Sequence, residues 1–435
     1  MNARQQVIRV GVLGAGTVGA EVAARLIGDR DEMRARVGAP VELVGVAVRD
    51  LDAPRHPALL RELLTTDVRS LILSSNIVVE LIGGIEDARE YVLLALDSGA
   101  DVITGNKALL ATHGPELFAA AERVGAQLAY EAAVGGAIPI VRPLRDSLAG
   151  DHVQRILGIL NGTTNYVLDR MDEHGDSFES ALERATELGY AEADPTADVS
   201  GADAAQKAAL LAGLAFHTSV PLDAVPVEGI EHVTLDQVAA GRASGHVVKL
   251  LAICERLTDP SGAPGISARV HPALIPRSHP LAAVHGANNA IYVEASAAGS
   301  LMFYGAGAGG PETASAVLGD LVSAARRHVI GGPGLLGSVS AALPVLDPGL
   351  VTTRYQVTLD VRDEPGVLAS LSAVFSRREV SIETVVQSRA PGSGTATLVV
   401  GTHRASESSL AATVQDLSRA GEVAAVRGVL RIEGE

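Results

Sequence analysis

The segment Gly189-Tyr190-Ala191-Glu192-Ala193-Asp194-Pro195-Thr196-Ala197-Asp198-Val199-Ser200-Gly201-Ala202-Asp203 runs up to Lys207 and carries the densest reactive grouping of the chain. Its carboxylates are Glu192, Asp194, Asp198 and Asp203. Pro195 and Gly201 break it into a loop, and a helix begins near Gly201 or Ala202. Asp203 and Lys207 are spaced by one helical turn, so they share a face with the acid N-terminal to the lysine. On a surface such a pair would contribute only about 0.2–1 kcal/mol. Ala208-Ala209-Leu210-Leu211-Ala212-Gly213-Leu214-Ala215 follows, however, so the helix reads as buried. A lysine at the mouth of a buried helix can give up and take back a proton. The spare carboxylates can hold an ammonium, as a site for an amino acid requires. The alternative is an acidic solvated loop closing on a helix N-terminus, where Asp is favoured in any case.

Such a site needs a frame, and the first 145 residues supply one. The apolar run Val7-Ile8-Arg9-Val10-Gly11-Val12-Leu13 has strand length, and a helical pattern covers Ala20–Ile27. Between them lies Gly14-Ala15-Gly16-Thr17-Val18-Gly19. A G-x-G-x-x-G means little alone in a chain with 46 glycines, but strand before and helix after make it specific. The glycines let backbone approach a pyrophosphate, which then rests on the helix N-terminus. A second strand, Val41–Val48, ends at Arg49-Asp50. An acid there holds the ribose hydroxyls of NAD(H), and an arginine accommodates the extra phosphate of NADP(H). Arg49 tips the expectation to NADP(H), while Asp50 leaves NAD(H) open. Strands at Ile77–Gly83, Asp101–Thr104 and Gln127–Tyr130 alternate with helices at Asp87–Ser98 and Pro115–Val124. That order predicts an α/β fold with a Rossmann-type, doubly wound parallel sheet. Two loops follow strand ends, where ligands of such sheets bind. One, Thr104-Gly105-Asn106-Lys107, brings a lysine within reach of cofactor or substrate. The other, Glu131-Ala132-Ala133-Val134-Gly135-Gly136-Ala137-Ile138-Pro139, either binds a hard cation or caps a helix.

With these motifs in order, the chain resembles the homoserine dehydrogenases. The likeness extends to Ile159-Leu160-Asn161-Gly162-Thr163-Thr164-Asn165-Tyr166 and to Gly305-Ala306-Gly307-Ala308-Gly309-Gly310-Pro311-Glu312-Thr313-Ala314-Ser315, and so spans about residues 7 to 330. It implies NAD(P)-dependent interconversion of L-aspartate 4-semialdehyde and L-homoserine, on the route to threonine, methionine and isoleucine. It also implies roles. Lys207 protonates the developing alkoxide, and Lys107 is a second lysine near nicotinamide and substrate. Glu192 and Asp203 bind the substrate amino group and orient the lysine, and Asp198 belongs to the same site. Tyr190, Gly162 and Thr163 line the substrate pocket. Gly14, Gly16, Thr17, Val18, Gly19, Arg49, Thr104, Lys107, Gly307 and Gly309 fall to the cofactor. Glu131, with the backbone of Val134, Gly136 and Ile138, matches a structural monovalent-cation site, usually sodium. Two departures are Ala197, where some relatives have a second acid, and Gln206, where a basic residue is frequent.

Residues 146–310 are expected to form an α+β substrate-binding and dimerisation domain, giving a homodimer or homotetramer as the resemblance implies. Its strands are read at Ile156–Leu160, Gly265–Ile275 and Ala290–Ala297, and its helices at Gln206–Phe216 and Val247–Arg256. Gly310–Val329 should return to the first domain as a helix, so that residues 310–330 rejoin it. Gly331-Gly332-Pro333-Gly334 and Asp347-Pro348-Gly349 mark residues 331–353 as a linker. Residues 354–435 then read as strand Tyr355–Val361, helix Gly366–Arg377, strands Ser381–Ser388 and Thr395–Gly401, helix Ser406–Ala420 and strand Val423–Ile432. This βαββαβ order predicts a ferredoxin-like fold. Asp363-Glu364-Pro365-Gly366-Val367-Leu368 resembles the ACT module. That likeness implies an amino-acid effector, L-threonine as pathway end product, or a dimer contact.

Composition closes off other classes. A net charge of −16 opposes a nucleic-acid partner. No Trp and 3% aromatics leave no base-stacking platform. No apolar run reaches the roughly 18–20 residues of a membrane span. The chain opens without a signal-peptide core, so the cytoplasm is the expected compartment. The single cysteine, Cys254, cannot form an intrachain disulfide and falls in the expected helix Val247–Leu257. The histidines are scattered and suggest no zinc-type cluster; His271, His279 and His285 read as surface or structural.

Overall fold

The computed structural model describes residues 7–332, 341–389 and 395–434. It separates into two compact units, one of residues 1–152, 209–222 and 303–342, the other of 153–208, 223–302 and 343–435.

The first unit is built on six strands: β1 (Ile8–Leu13), β2 (Val41–Ala47), β3 (Leu64–Thr65), β4 (Ile77–Glu80), β5 (Asp101–Thr104) and β6 (Leu128–Ala129). All pairings are parallel and the order is β3-β2-β1-β4-β5-β6. Chain direction across the sheet therefore reverses between β1 and β4, which opens a crevice beyond their C-terminal ends. Val10, Val12, Val46, Ile77, Val79 and Ile103 are buried in one core. Val22 and Leu26 of the helix Thr17–Gly28 join them, as do Val317 and Leu321 of the helix Gly310–Ile330. Each such fully buried aliphatic side chain contributes roughly 1.5–3 kcal/mol. The doubly wound sheet expected from the strand-helix alternation is thus present. No helix of the described residues is long and apolar enough to cross a membrane.

The second sheet comprises β7 (Val153–Ile159), β8 (His246–Thr258), β9 (Pro264–Pro276), β10 (Asn288–Ala295), β11 (Gly299–Ala306), β12 (Thr352–Arg362), β13 (Ile382–Arg389), β14 (Thr395–Thr402), β15 (Ala405–Ser406) and β16 (Val423–Ile432). Its order is β11-β10-β7-β8-β9-β16-β12-β14-β13, with β15 paired to β12. The expected helix at Val247–Arg256 is instead β8, antiparallel to β9 along its whole length. Val247 through Cys254 are all buried, on both faces of the sheet. A run that is apolar apart from Lys249 shows no period by which helix and doubly covered strand can be told apart.

The last four long strands take the order β16-β12-β14-β13, all antiparallel. The helices Val367–Arg377 and Glu407–Ser418 pack Leu371, Phe375, Leu410 and Leu417 against Val357, Leu359, Leu398 and Val400. This is the ferredoxin-like arrangement read from the sequence. It is continuous with the rest of the sheet, because β16 pairs in parallel with β9 at Arg431–Ala273 and Ile432–Leu274. Beyond it, buried Glu433 accepts hydrogen bonds from Arg155 and Arg269. Of the expected linker, residues 333–340 lie outside the described residues, and Val345 bridges to Ile266.

Candidate active site

The glycine turn follows β1 at the point where the strand order reverses. Gly14 has φ +99°, and a Cβ there would lie 2.7 Å from the Leu81 carbonyl oxygen. A Cβ on Gly19 would lie 2.1 Å from the Gly14 carbonyl oxygen, so helix and turn touch backbone to backbone. A Cβ on Gly16 would meet nothing within 4 Å. The helix Thr17–Gly28 opens with no side-chain cap and no acid in its first turn. Its leading amides therefore face an open cradle that suits an anion, and a dinucleotide pyrophosphate fits it. The loop from Gly307 to Gly309 returns beside it, for a Cβ on Gly310 would press on Thr17 at 2.8 Å. At the end of β2, Arg49 is exposed, while the Asp50 carboxylate accepts the Asp52 amide at 2.9 Å and so closes its own turn.

The Lys107 loop is fixed by Glu80, a residue with no motif around it to suggest a role. Glu80, at the end of β4, is fully buried and accepts the Thr104 hydroxyl at 2.6 Å and the Ile82 amide at 2.9 Å. Burial pushes its pKa up, against the pull of these hydrogen bonds. Thr104 Oγ1 in turn accepts the Asn106 amide at 3.0 Å, and the Asn106 side chain caps the helix Lys107–Val124 at the Leu109 amide. Lys107 is thereby set, half-buried, as the first residue of that helix.

The Glu131 turn resolves in favour of capping. Its buried carboxylate accepts the Ile140, Val141 and Arg142 amides at 2.5, 2.7 and 3.0 Å, and the Arg142 Nε at 3.0 Å. Both oxygens face donors and a guanidinium, a setting that repels a cation. The carboxylate of Glu131 is thus occupied by these donors, and the turn meets a cation through its backbone. Backbone carbonyls of the turn, those of Glu131, Val134, Gly136 and Ile138, are the groups suited to a cation there. Nearby, Asp320 accepts the Glu131 amide at 2.8 Å, and burial pushes its pKa up to about 7.

The second unit gathers Asn161, Gly162, Thr163, Tyr190, Asp198, Asp203 and Lys207. Lys207 and Asp203 lie on the first turns of the helix Ala202–Phe216, both nearly buried, with Nζ 2.8 Å from Asp203 Oδ2. Nζ also donates to the Leu160 carbonyl at 2.7 Å, just past β7. Among the described residues this engages two of the three ammonium hydrogens. The third is left for an oxygen of a bound molecule. Asn161 donates to Asp203 at 3.0 Å and to Asp198 at 2.7 Å, joining the two acids. Thr163 Oγ1 lies 3.0 Å from the Asp198 carboxylate and 2.7 Å from the Tyr190 carbonyl, two acceptors for its one hydrogen. Gly162 opens the next helix, Gly162–His174, where a Cβ would meet the Ala287 carbonyl oxygen at 2.6 Å. Tyr190 stacks at a tilt on Tyr166, centroids 5.1 Å apart. Glu192 is exposed on the same loop.

Other reactive groups take structural places. Cys254 is buried on β8 and gives its thiol hydrogen to the Ala208 carbonyl, so it is no exposed nucleophile of the kind an acylating aldehyde dehydrogenase needs. His271 is fully buried on β9, which holds its pKa well below the usual value. His279 packs on Tyr292. His285, expected in a surface or structural place, is more than half exposed and meets Asp169 Oδ1 at 2.8 Å and Glu173 at 3.4 Å. Asp169, Glu173 and His285 have ligand atoms within 4.8 Å of one another, a grouping that sequence separation hides. The ammonium of Lys249, 3.9 Å from Asp169, already balances it.

Comparison with known proteins agrees with this geometry. The family model for the homoserine dehydrogenase NAD binding domain matches residues 14–131, that for homoserine dehydrogenase matches 139–322, and that for the ACT domain matches 355–422. A homoserine dehydrogenase of Corynebacterium glutamicum is 52% identical over 98% of this chain and 96% of its own length. One from Mycobacterium tuberculosis is 51% identical over 98% of each. The crystal structure of a homoserine dehydrogenase from Thiobacillus denitrificans superposes with a TM-score of 0.91 at 38% identity, covering 98% of both chains. Likeness of this extent covers the nucleotide-binding, catalytic and C-terminal regions together: the chain belongs to the homoserine dehydrogenase family, NAD(P)-dependent oxidoreductases, with a C-terminal ACT domain.

Proposed function

We propose that this enzyme interconverts L-aspartate 4-semialdehyde and L-homoserine, with Lys207 giving a proton to, or taking it from, the substrate oxygen. The observation that carries this reading is the Lys207 ammonium, buried, paired with Asp203 and held by the Leu160 carbonyl. The nicotinamide, when bound, supplies or accepts the hydride. Reduction adds a hydride to the aldehyde carbon and a proton to its oxygen, so the alcohol forms without net charge on oxygen. Asp203 fixes the ammonium by one turn of helix, and Asn161 fixes Asp203. Asp198 and Glu192 have the charge to bind the substrate ammonium, while Thr163, Gly162 and Tyr190 line its pocket. Lys107, at the start of its helix beyond β5, is the second lysine that the family likeness implies. The reaction serves threonine, methionine and isoleucine synthesis in this reading. A sodium ion, if bound, would be held by the turn at Glu131, with the backbone of Val134, Gly136 and Ile138.

NADP(H) is the proposed cofactor, because Arg49 is exposed at the strand end while Asp50 is engaged in its own turn. A hyperthermophilic archaeal homoserine dehydrogenase, 25% identical over 75% of this chain, has been solved in complex with NADPH. Replacing Arg49 with Ala should raise the KM for NADP⁺ about tenfold and leave that for NAD⁺ nearly unchanged, since one charge-assisted contact is worth roughly 1.5–3 kcal/mol. Equal loss with both cofactors in steady-state assays would reject the phosphate-binding role.

The C-terminal module is proposed to sense L-threonine. Val361, Arg362, Asp363, Glu364, Gly366 and Gln387 line a cavity of about 420 Å³. It offers both signs of charge for an amino acid. Gly366 opens the adjoining helix at φ +94°, and a Cβ there would meet nothing within 4 Å. Gly366→Val should therefore weaken threonine inhibition about tenfold or more while kcat stays within about twofold. A threonine titration identical to wild type would remove the effector from this cavity. Deleting the module is the coarser experiment, since it bares the β9 edge and strips Glu433 from Arg155 and Arg269. A homodimer or homotetramer is proposed through the second sheet, whose edge strand β11 exposes Met302 and Tyr304.

A further inference from the structure

The chain has 35 basic residues, of which only Lys107, Lys207 and Lys249 are lysines. Two of the three belong to the chemistry above. The third has no part in it, yet a chain that otherwise uses arginine for positive charge has a lysine at that point.

Lys249 stands on β8 with no exposed surface at all. Its Nζ donates to the Val284 carbonyl at 2.6 Å and to Asn165 Oδ1 at 3.0 Å. The Asn165 amide nitrogen, oriented by that contact, shares its two hydrogens among the carbonyls of Val284, Gly286 and Asn288 at 3.2, 2.8 and 3.2 Å. Asp169, one turn further along the helix Gly162–His174, accepts the Gly286 amide at 2.8 Å and faces the Lys249 ammonium. The loop Val284–Asn288 is thus gripped from both ends. Its Ala287 carbonyl presses on Gly162, where a Cβ would lie only 2.6 Å away. Moving this loop moves the start of the helix, and Gly162 and Thr163 with it.

A buried ammonium is an expensive way to fill space, and a methionine would do so without charge. Burial pushes the Lys249 pKa down to about 8, opposed by Asp169, Asp172 and Glu173 and reinforced by Arg277. What lysine has and methionine lacks is hydrogen-bond donors, and these are spent on the loop and on Asn165.

We propose that Lys249 is a positioning residue for the substrate half of the site, fixing Asn165 and through it the loop Val284–Asn288, so that Gly162 and Thr163 keep the geometry that receives the amino-acid substrate. The inference rests on the assignment of Gly162 and Thr163 to the substrate pocket.

The test is a KM comparison on the full-length enzyme for Lys249→Met, Asn165→Ala and Thr163→Val, varying L-homoserine and NADP⁺ separately. Lys249→Met and Asn165→Ala should each raise the homoserine KM about tenfold to a hundredfold, because a misplacement of about 1 Å has effects of that order. The NADP⁺ KM should stay within about twofold, which general loss of fold would not allow. Should Lys249→Met fail to fold, Asn165→Ala carries the same prediction with the lysine in place. An unchanged homoserine KM in these two, with Thr163→Val impaired, overturns the role of Lys249 and leaves the pocket standing. An unchanged KM in all three overturns the pocket assignment and the inference together.

Discussion

Lys207→Met should lower kcat by about a hundredfold to ten-thousandfold, the range by which a placed acid-base group accelerates proton transfer. Methionine nearly matches the length of the lysine and suits the apolar surroundings of the helix Ala202–Phe216. Asp203 keeps its hydrogen bond from Asn161, so the buried carboxylate is not left without a donor. The loss should therefore appear in the chemical step, while the affinity for cofactor, read by nicotinamide fluorescence, stays unchanged. A parallel collapse of cofactor binding would mean the lysine holds the fold and not the proton.

Gly19→Val should abolish cofactor binding, raising the NADP⁺ KM by about a hundredfold or more. The position tolerates no side chain: even a Cβ would sit 2.1 Å from the Gly14 carbonyl oxygen, backbone that cannot yield as a side chain would. The turn must open, and the first amides of the helix Thr17–Gly28 then move off the pyrophosphate. Circular dichroism should show retained secondary structure, since the sheet core of Val10, Val12, Val46, Ile77 and Ile103 is untouched. Normal saturation by NADP⁺ in this variant would place the dinucleotide elsewhere.

The parts legible in the sequence are those whose chemistry is local. A strand, a glycine turn and a helix lie within about twenty residues, and their order alone requires the crevice. Asp203 and Lys207 pair across one turn of helix, so their meeting is a matter of helical geometry. The terminal βαββαβ module is readable for the same reason. Groups joined across long separations are not. Asn161 reaches Asp198 and Asp203 from an earlier helix start, and Glu80 reaches Thr104 from the neighbouring strand. Neither contact has a periodicity to betray it. Glu131 shows a second limit. Its turn stands out in the sequence, but whether the carboxylate faces a cation or a row of amides depends on the backbone path of Ile140 to Arg142. β8 escapes for a third reason: burial on both faces erases the alternation that marks a strand.

The most direct test of the central claim is the near-ultraviolet absorbance of reduced nicotinamide while the purified enzyme oxidises L-homoserine with NADP⁺, for wild type and Lys207→Met side by side. The proposed mechanism predicts homoserine-dependent reduction by the wild type and almost none by the variant. Turnover by Lys207→Met near the wild-type rate, or a folded wild type that reduces NADP⁺ with no response to homoserine, would contradict it.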